Sequence, residues 1–72
     1  MTKEEKMAVI AESVEMEVEE LAEDMILQDL ENWDSVAVLS IISFIGEKFN
    51  RFPSASEILQ YKTVGDLIKA ME

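Results

Sequence analysis

Asp34 and Ser35 stand at the start of the longest apolar segment of this 72-residue chain, and their types and position could support chemistry. The pattern predicts that the segment is a helix with the serine in its first turn. A helix N-terminus presents unpaired backbone N–H groups and a partial positive charge, which both favour a phosphate group. A serine hydroxyl at this position is therefore well placed to carry a phosphate ester.

The composition indicates that Ser35 does not react unaided. The chain contains no histidine and no cysteine, so it lacks the commonest general base, the commonest metal ligand and any disulfide or thiolate site. A serine without a nearby base is a weak nucleophile. We therefore expect another protein to modify Ser35, and we expect neither an enzyme nor a metal site. An enzyme that uses the Asp34–Ser35 pair or its carboxylates is the least favoured alternative.

Acidic residues are concentrated before Ser35. The net charge is −10, which argues against nucleic acid as a partner because phosphate contacts need clustered Lys and Arg. Residues 12–34 contain no basic residue and ten acidic ones, which are Glu12, Glu15, Glu17, Glu19, Glu20, Glu23, Asp24, Asp29, Glu31 and Asp34. They form either a solvated face or a surface that steers basic enzymes towards Ser35. With no local cation, they should make the fold sensitive to salt.

Capping residues and apolar spacing predict an all-α fold, a small four-helix bundle with three main helices, one short helix and a long first loop. Residues 2–5 (Thr-Lys-Glu-Glu) have the capping-box pattern. Apolar residues at spacings of three and four extend this first helix to near Val18. Residues 22–34 form a loop held by apolar anchors, which are Met25, Leu27, Leu30 and Trp33.

The second half of the chain contains the other three predicted helices. The second helix covers residues 35–49 and ends at Asn50, which tolerates the left-handed conformation. Its predicted inward residues are Val36, Leu39, Ile42 or Ser43, Ile45 or Gly46, and Phe49. A short helix covers residues 54–59, with Ser54 or Ser56 as its cap and Ile58 and Leu59 towards the core. The last helix begins at Thr63 with a capping-box variant, and its inward residues are Leu67, Ile68 and Met71.

The motifs around Ser35 resemble the acyl carrier protein family over nearly the whole chain. The family's Asp-Ser-Leu motif is Asp-Ser-Val here, at residues 34–36. Residues 27–30 match Leu-x-Asp-Leu, and Trp33 precedes the Asp-Ser pair. Phe49 follows Ser35 by fourteen residues, and residues 63–67 match Thr-Val-x-Asp-Leu.

This resemblance implies that Ser35 holds a 4′-phosphopantetheine arm that a phosphopantetheinyl transferase takes from coenzyme A with Mg²⁺. It implies a recognition role for Asp34, and it implies that the arm's thiol carries acyl groups, as thioesters, to acyl-activating or acyl-transferring enzymes. The length predicts a single domain over residues 1–72, and we expect a monomer. A small helical adaptor that binds partners without a covalent group is the alternative.

The location follows from the pattern of charges and apolar residues. The start of the chain does not resemble a secretory signal. The apolar run at residues 36–45 is far shorter than the roughly 20 residues that span a bilayer. We therefore predict a cytoplasmic protein without a membrane span.

The second helix departs from carriers of fatty acid synthesis, which usually bear several carboxylates there. Ala37 and Ser40 stand at two of those positions, which we expect to lie on the surface, and Gly46 replaces another. These departures favour a specialised carrier, for secondary metabolism, lipid synthesis or envelope-polymer modification. We predict a partner-docking face of Val36, Val38, Ile41, Phe44 and Glu47. In the alternative interpretation, Val38, Ile41 and Phe44 belong to the core.

Overall fold

The computed structural model describes residues 2–71, so the ends of the predicted domain, Met1 and Glu72, lie outside the described residues. Its four helices are α1 (Lys3–Ser13), α2 (Ser35–Phe49), α3 (Ala55–Leu59) and α4 (Val64–Ala70). Two 3-10 turns, Val18–Glu20 and Leu27–Asp29, lie between α1 and α2. The predicted all-α fold with a long first loop is confirmed.

Three helices begin at the side-chain caps that the sequence predicts. In each, the cap oxygen accepts the backbone N–H three residues later, which satisfies a donor that the helix leaves unpaired. The pairs are Thr2 with Glu5 (3.2 Å), Ser54 with Glu57 (3.2 Å) and Thr63 with Asp66 (3.1 Å). Four-residue patterns therefore fix where these helices start.

Helix α1 ends earlier than predicted, at Ser13 rather than near Val18. Glu15 adopts a left-handed conformation with φ of 57°, and the Met16 N–H donates to the Ala11 carbonyl over 2.9 Å. This bond pattern closes a helix C-terminus and turns the chain away from the axis. Val18 consequently lies outside α1 and is half-exposed.

Helix α2 has the predicted bounds but presents a different face to the core. Its buried residues are Ala37, Val38, Ile41 and Ile45. Val36 and Leu39, which we predicted to face inward, are 69% and 60% exposed. Apolar side chains surround most of this helix, so spacing alone fits two orientations. Burial against the rest of the bundle decides between them.

This orientation corrects part of the predicted docking face. Val38 and Ile41 are 2% and 0% exposed, so they belong to the core and cannot form an exposed docking surface. The alternative interpretation was right for these two residues, and Phe44 packs partly buried against the core. Ala37 is also buried, so its predicted surface position is wrong, whereas Ser40 is exposed as expected. Leu59, predicted to face the core, is half-exposed.

The loop between α1 and α2 is fixed to the bundle as predicted. Leu27 is fully buried, while Met25, Leu30 and Trp33 pack partly buried against the core. Backbone bonds join this loop to the start of α4: the Leu27 N–H donates to the Lys62 carbonyl (2.8 Å) and the Val64 N–H to the Met25 carbonyl (3.0 Å). The long loop is therefore anchored by both packing and hydrogen bonds.

Gly65 allows a close approach between this loop and α4. Its N–H donates to the Glu23 carbonyl over 2.9 Å. A Cβ at residue 65 would lie 3.2 Å from that same carbonyl oxygen, which is tighter than ordinary van der Waals contact. A side chain at this position would therefore push the loop away from the helix.

Candidate functional site

Ser35 is the first residue of α2, and its side chain is exposed. Asp34 is the N-cap: its Oδ1 accepts the Ala37 N–H over 3.0 Å, and its carbonyl accepts the Val38 N–H over 3.0 Å. The N–H groups of Ser35 and Val36 precede these bonds and belong to the unpaired set of a helix N-terminus. The serine hydroxyl is thus held beside unpaired donors and is accessible to a partner.

Asn32 fixes the segment that precedes the serine. Its Nδ2 donates to the Val14 carbonyl at the end of α1 over 3.2 Å, and its own carbonyl accepts the Asp34 N–H over 3.0 Å. Sequence reasoning missed Asn32 because its side-chain partner is 18 residues away. No local pattern signals a contact over that separation.

The acidic segment has a cation that the sequence did not reveal. Lys3, from the start of α1, forms an ion pair with Glu23. The hydrogen bond from Lys3 to Glu23, together with the charge of that carboxylate, raises the pKa of Lys3 above its usual value. The expectation of no local cation was therefore wrong at this position. Within residues 2–71, no group of three or more acidic side chains is arranged to hold a metal ion.

A shallow groove runs along α2 beside Ser35. It is lined by Val36, Leu39, Ser40, Ser43, Phe44 and Glu47. An adjoining hollow towards α1 shares three of these residues and adds Val9, Glu12, Ser13 and Glu15. The structure therefore brings together three residues of the predicted docking face, Val36, Phe44 and Glu47. It adds Leu39, which sequence reasoning had assigned to the core.

Residues 7–71 match the family model described as the phosphopantetheine attachment site, and the chain belongs to this family. Members of the family are carriers rather than enzymes, and they bear 4′-phosphopantetheine on an attachment site. The carrier prediction is thus confirmed over the adaptor and enzyme alternatives. No curated protein and no solved structure gives a significant match to the chain.

The first turn of α2 fits a phosphodiester. The first turn itself contains no acidic side chain, and the Asp34 carboxylate at the N-cap accepts the Ala37 N–H. The N–H groups of Ser35 and Val36 are therefore left for an anion. A carrier needs an exposed attachment residue on a stable helix, and the start of α2 offers both.

Among the helices of residues 2–71, none is long and apolar enough to cross a membrane.

Proposed function

We propose that Ser35 is the attachment residue of this carrier and that Asp34 contributes to its recognition. The observation that carries the proposal is the exposed hydroxyl of Ser35 on the first residue of the longest helix. Two other serine hydroxyls have structural uses: that of Ser13 donates to the Val9 carbonyl over 2.9 Å, and Ser54 caps α3. Ser35 combines exposure, a helix N-terminus and the Asp-Ser motif.

The attachment reaction is the one that membership of the carrier family implies. Ser35 Oγ attacks the phosphorus that bears the pantetheine group in coenzyme A, an Oγ–P bond forms, the diphosphate P–O bond breaks and adenosine bisphosphate leaves. The hydroxyl proton goes to a base on the transferase, since this chain contains no histidine. Asp34 holds the helix start with Oδ1, and its second carboxylate oxygen is available to the transferase or its Mg²⁺. The attached arm ends in a thiol, which supplies the thioester chemistry.

The proposal includes a specialised pathway. Carriers of fatty acid synthesis present several carboxylates on the second helix, whereas α2 has Glu47 as its one acidic residue. The partner-docking face is the side of α2 that lines the groove, with Val36, the partly buried Phe44 and Glu47, together with the acidic segment 12–34. A specialised route such as secondary metabolism, lipid synthesis or envelope-polymer modification, in the cytoplasm, belongs to the same proposal.

Mass spectrometry tests the attachment residue. Apo protein is incubated with coenzyme A, Mg²⁺ and a broad-specificity phosphopantetheinyl transferase. Wild type should gain the mass of one phosphopantetheinyl group, and Ser35→Ala should gain none while keeping its helical circular dichroism. Ser40→Ala and Ser43→Ala are matched controls because both serines are exposed on the same helix. Modified Ser35→Ala, or wild type that several transferases leave unmodified, would contradict the proposal.

Malonyl loading tests the pathway. Holo protein should be a poor substrate of a malonyl transferase from fatty acid synthesis, and Ser40→Glu should improve loading by restoring a surface carboxylate. Ala37→Glu is unsuitable because Ala37 is buried. Wild type that loads as well as a fatty-acid carrier would reject the specialised pathway and leave the attachment at Ser35 intact.

A further inference from the structure

The hollow between α1 and α2, called here the α1–α2 hollow, combines an apolar wall with two carboxylates. Val9 and Phe44 pack partly buried against the core, and the exposed Val36 adds a third apolar side chain. Glu12 and Glu15 are exposed beside them. The volume of the hollow is about 400 Å³, which is enough for a small chemical group.

The carboxylates of the hollow lie at its end nearer to Ser35. The Asn32 side chain donates to the Val14 carbonyl over 3.2 Å, and the Asp34 N–H donates to the Asn32 carbonyl over 3.0 Å. These two bonds hold the end of α1 beside the start of α2. Glu12 is in the last turn of α1 and Glu15 follows its end, so both carboxylates face the region of the attachment residue.

A group carried on the arm of Ser35 can reach every part of the hollow. The arm is about 17 Å long when extended, since a covalent chain spans at most about 3.5 Å per three bonds. Phe44 follows Ser35 by nine residues and therefore lies about 14 Å further along the helix axis. Because a flexible tether keeps its ligand at a millimolar effective concentration, weak contacts are enough to hold it.

The polar groups of the hollow are hydrogen-bond acceptors. The Ser13 hydroxyl donates its proton to the Val9 carbonyl, so its oxygen is left to accept a bond. In the part of the chain that the structure describes, neither Lys nor Arg lines the hollow. Lys6 and Lys48 come one helical turn beyond Val9 and Phe44, at the end far from Ser35. The lining therefore attracts a cation and repels a carboxylate.

We propose that the α1–α2 hollow holds the carried group and that this group bears a protonated amine and an apolar side chain, as an aminoacyl thioester does. This inference rests on the proposed attachment at Ser35. The ammonium donates to Glu12, Glu15 and the Ser13 hydroxyl, which together match its three N–H donors. The side chain of the carried group packs on Val9 and Phe44. A neutral acyl group gains the apolar contact alone, and a group with a carboxylate is repelled.

Three carried groups of nearly the same shape test the role of charge. Alanyl, isobutyryl and methylmalonyl groups share a branched carbon with a methyl group, and they are a cation, neutral and an anion. A broad-specificity transferase attaches each from a coenzyme A analogue that has an amide in place of the thioester, so hydrolysis and pathway enzymes play no part. Backbone NMR shifts of Val9, Ser13 and Ser40 are compared with those of the unloaded holo protein. The alanyl group should move them about threefold more than isobutyryl, and methylmalonyl should move them least.

Charge variants locate the effect. Glu12→Gln/Glu15→Gln should reduce the shifts from alanyl to the level of isobutyryl. Glu19→Gln/Glu31→Gln is the matched control, because it makes the same change in net charge at two exposed residues of the acidic segment that do not line the hollow. It should keep the difference between alanyl and isobutyryl.

Reversing the charge of the hollow should reverse its preference. Ser40 is exposed and lines the hollow, so Ser40→Lys places an ammonium there. Methylmalonyl should then move the shifts of Val9 and Ser13 more than alanyl does.

The outcomes separate the hollow from the attachment. Equal shifts from alanyl and isobutyryl in wild type, or an equal loss of the difference in the control variant, would overturn the selection of an amine and leave the attachment at Ser35 intact. Wild type that transferases leave unmodified would overturn the attachment itself, and its unchanged mass would show this before any shift is measured.

Discussion

The starts of α4 and α2 are two solutions to the same problem of unpaired helix N–H groups. At α4, Thr63 Oγ1 accepts the Asp66 N–H (3.1 Å) and Asp66 Oδ2 accepts the Thr63 N–H (3.3 Å). At α2, the Asp34 carboxylate accepts the Ala37 N–H (3.0 Å), and no side chain returns a bond from the third helical position. The start of α4 is closed by its own first turn, whereas that of α2 is not.

The difference shows what a site requires of a helix. At α2 the third helical position is given to the core, since Ala37 is 1% exposed. The backbone N–H of Asp34, which a capping box would satisfy from that position, donates instead to the Asn32 carbonyl. The first turn therefore keeps Ser35 exposed, and its own helical positions carry no carboxylate. The hydrogen bond that a capping box would provide comes instead from Asn32, in the segment before the helix.

The largest predicted effect comes from giving α2 the cap that α4 has. Ala37→Glu would complete the capping-box pattern in sequence, but it places a carboxylate in the core. It should lower the free energy of unfolding by about 3 kcal/mol or more, from overpacking and burial of a charge. Urea denaturation measures this, and Ser40→Glu, on the exposed side, should stay within about 0.5 kcal/mol of wild type. If Ala37→Glu were as stable as wild type, the third position of α2 could carry a capping carboxylate as that of α4 does. The difference that we describe between the two helix starts would then be wrong.

A smaller effect separates capping from recognition at Asp34. Asp34→Ala removes the cap and should lower the free energy of unfolding by about 1 kcal/mol. Asp34→Asn keeps a capping oxygen, so it should be within a few tenths of a kcal/mol of wild type yet slow arm attachment. Thr63→Ala is the control: it should lose about 1 kcal/mol without slowing attachment. Attachment that follows stability in all three variants would show that Asp34 acts through folding alone.

Sequence patterns predicted the features that depend on nearby residues. The caps at Thr2, Ser54 and Thr63 each depend on residues three apart, and the left-handed Asn50 follows from its own side chain. The orientation of α2 was not predictable in this way, because Val36 and Leu39 are as apolar as the Val38 and Ile41 that the core takes. Packing partners far along the chain make that choice.

The same distinction between residues that are near and far apart in sequence applies to the candidate site. The Asp-Ser pair and its helix start could be found in sequence, since they form one continuous motif. The contact of Asn32 with Val14 and the α1–α2 hollow could not. Each joins residues whose proximity follows only from how the chain folds around α2. Leu39 was also not predicted as a groove residue, because the orientation of α2 depends on how the whole chain folds.

Salt should stabilise the acidic segment before α2 more than it stabilises α4. Residues 12–34 contain ten acidic residues and no basic one. Their repulsion is screened over about 10 Å at 0.1 M salt, so the melting temperature should rise by about 3 °C between low salt and about 0.5 M NaCl. Divalent cations should act in the same direction. Lys3→Ala removes the partner of Glu23 and should enlarge the salt response. A flat melting temperature would show that the fold already separates these carboxylates.

The smallest effect concerns the acid that closes α4. Hydrogen bonds, chiefly from the Thr63 backbone, hold the pKa of Asp66 below its usual value of 3.8. A carboxyl whose pKa is lowered by folding stabilises the fold above its unfolded pKa and loses that contribution as pH falls through the folded pKa. Asp66→Asn should therefore be slightly less stable than wild type at neutral pH, and the difference should shrink as pH falls below 3.8 and vanish once pH is below the folded pKa. Urea titrations of both proteins from pH 7 to pH 2 measure the difference. A difference that persists unchanged at pH 2 would show that the amide disrupts the cap geometry, so that charge is not what closes α4.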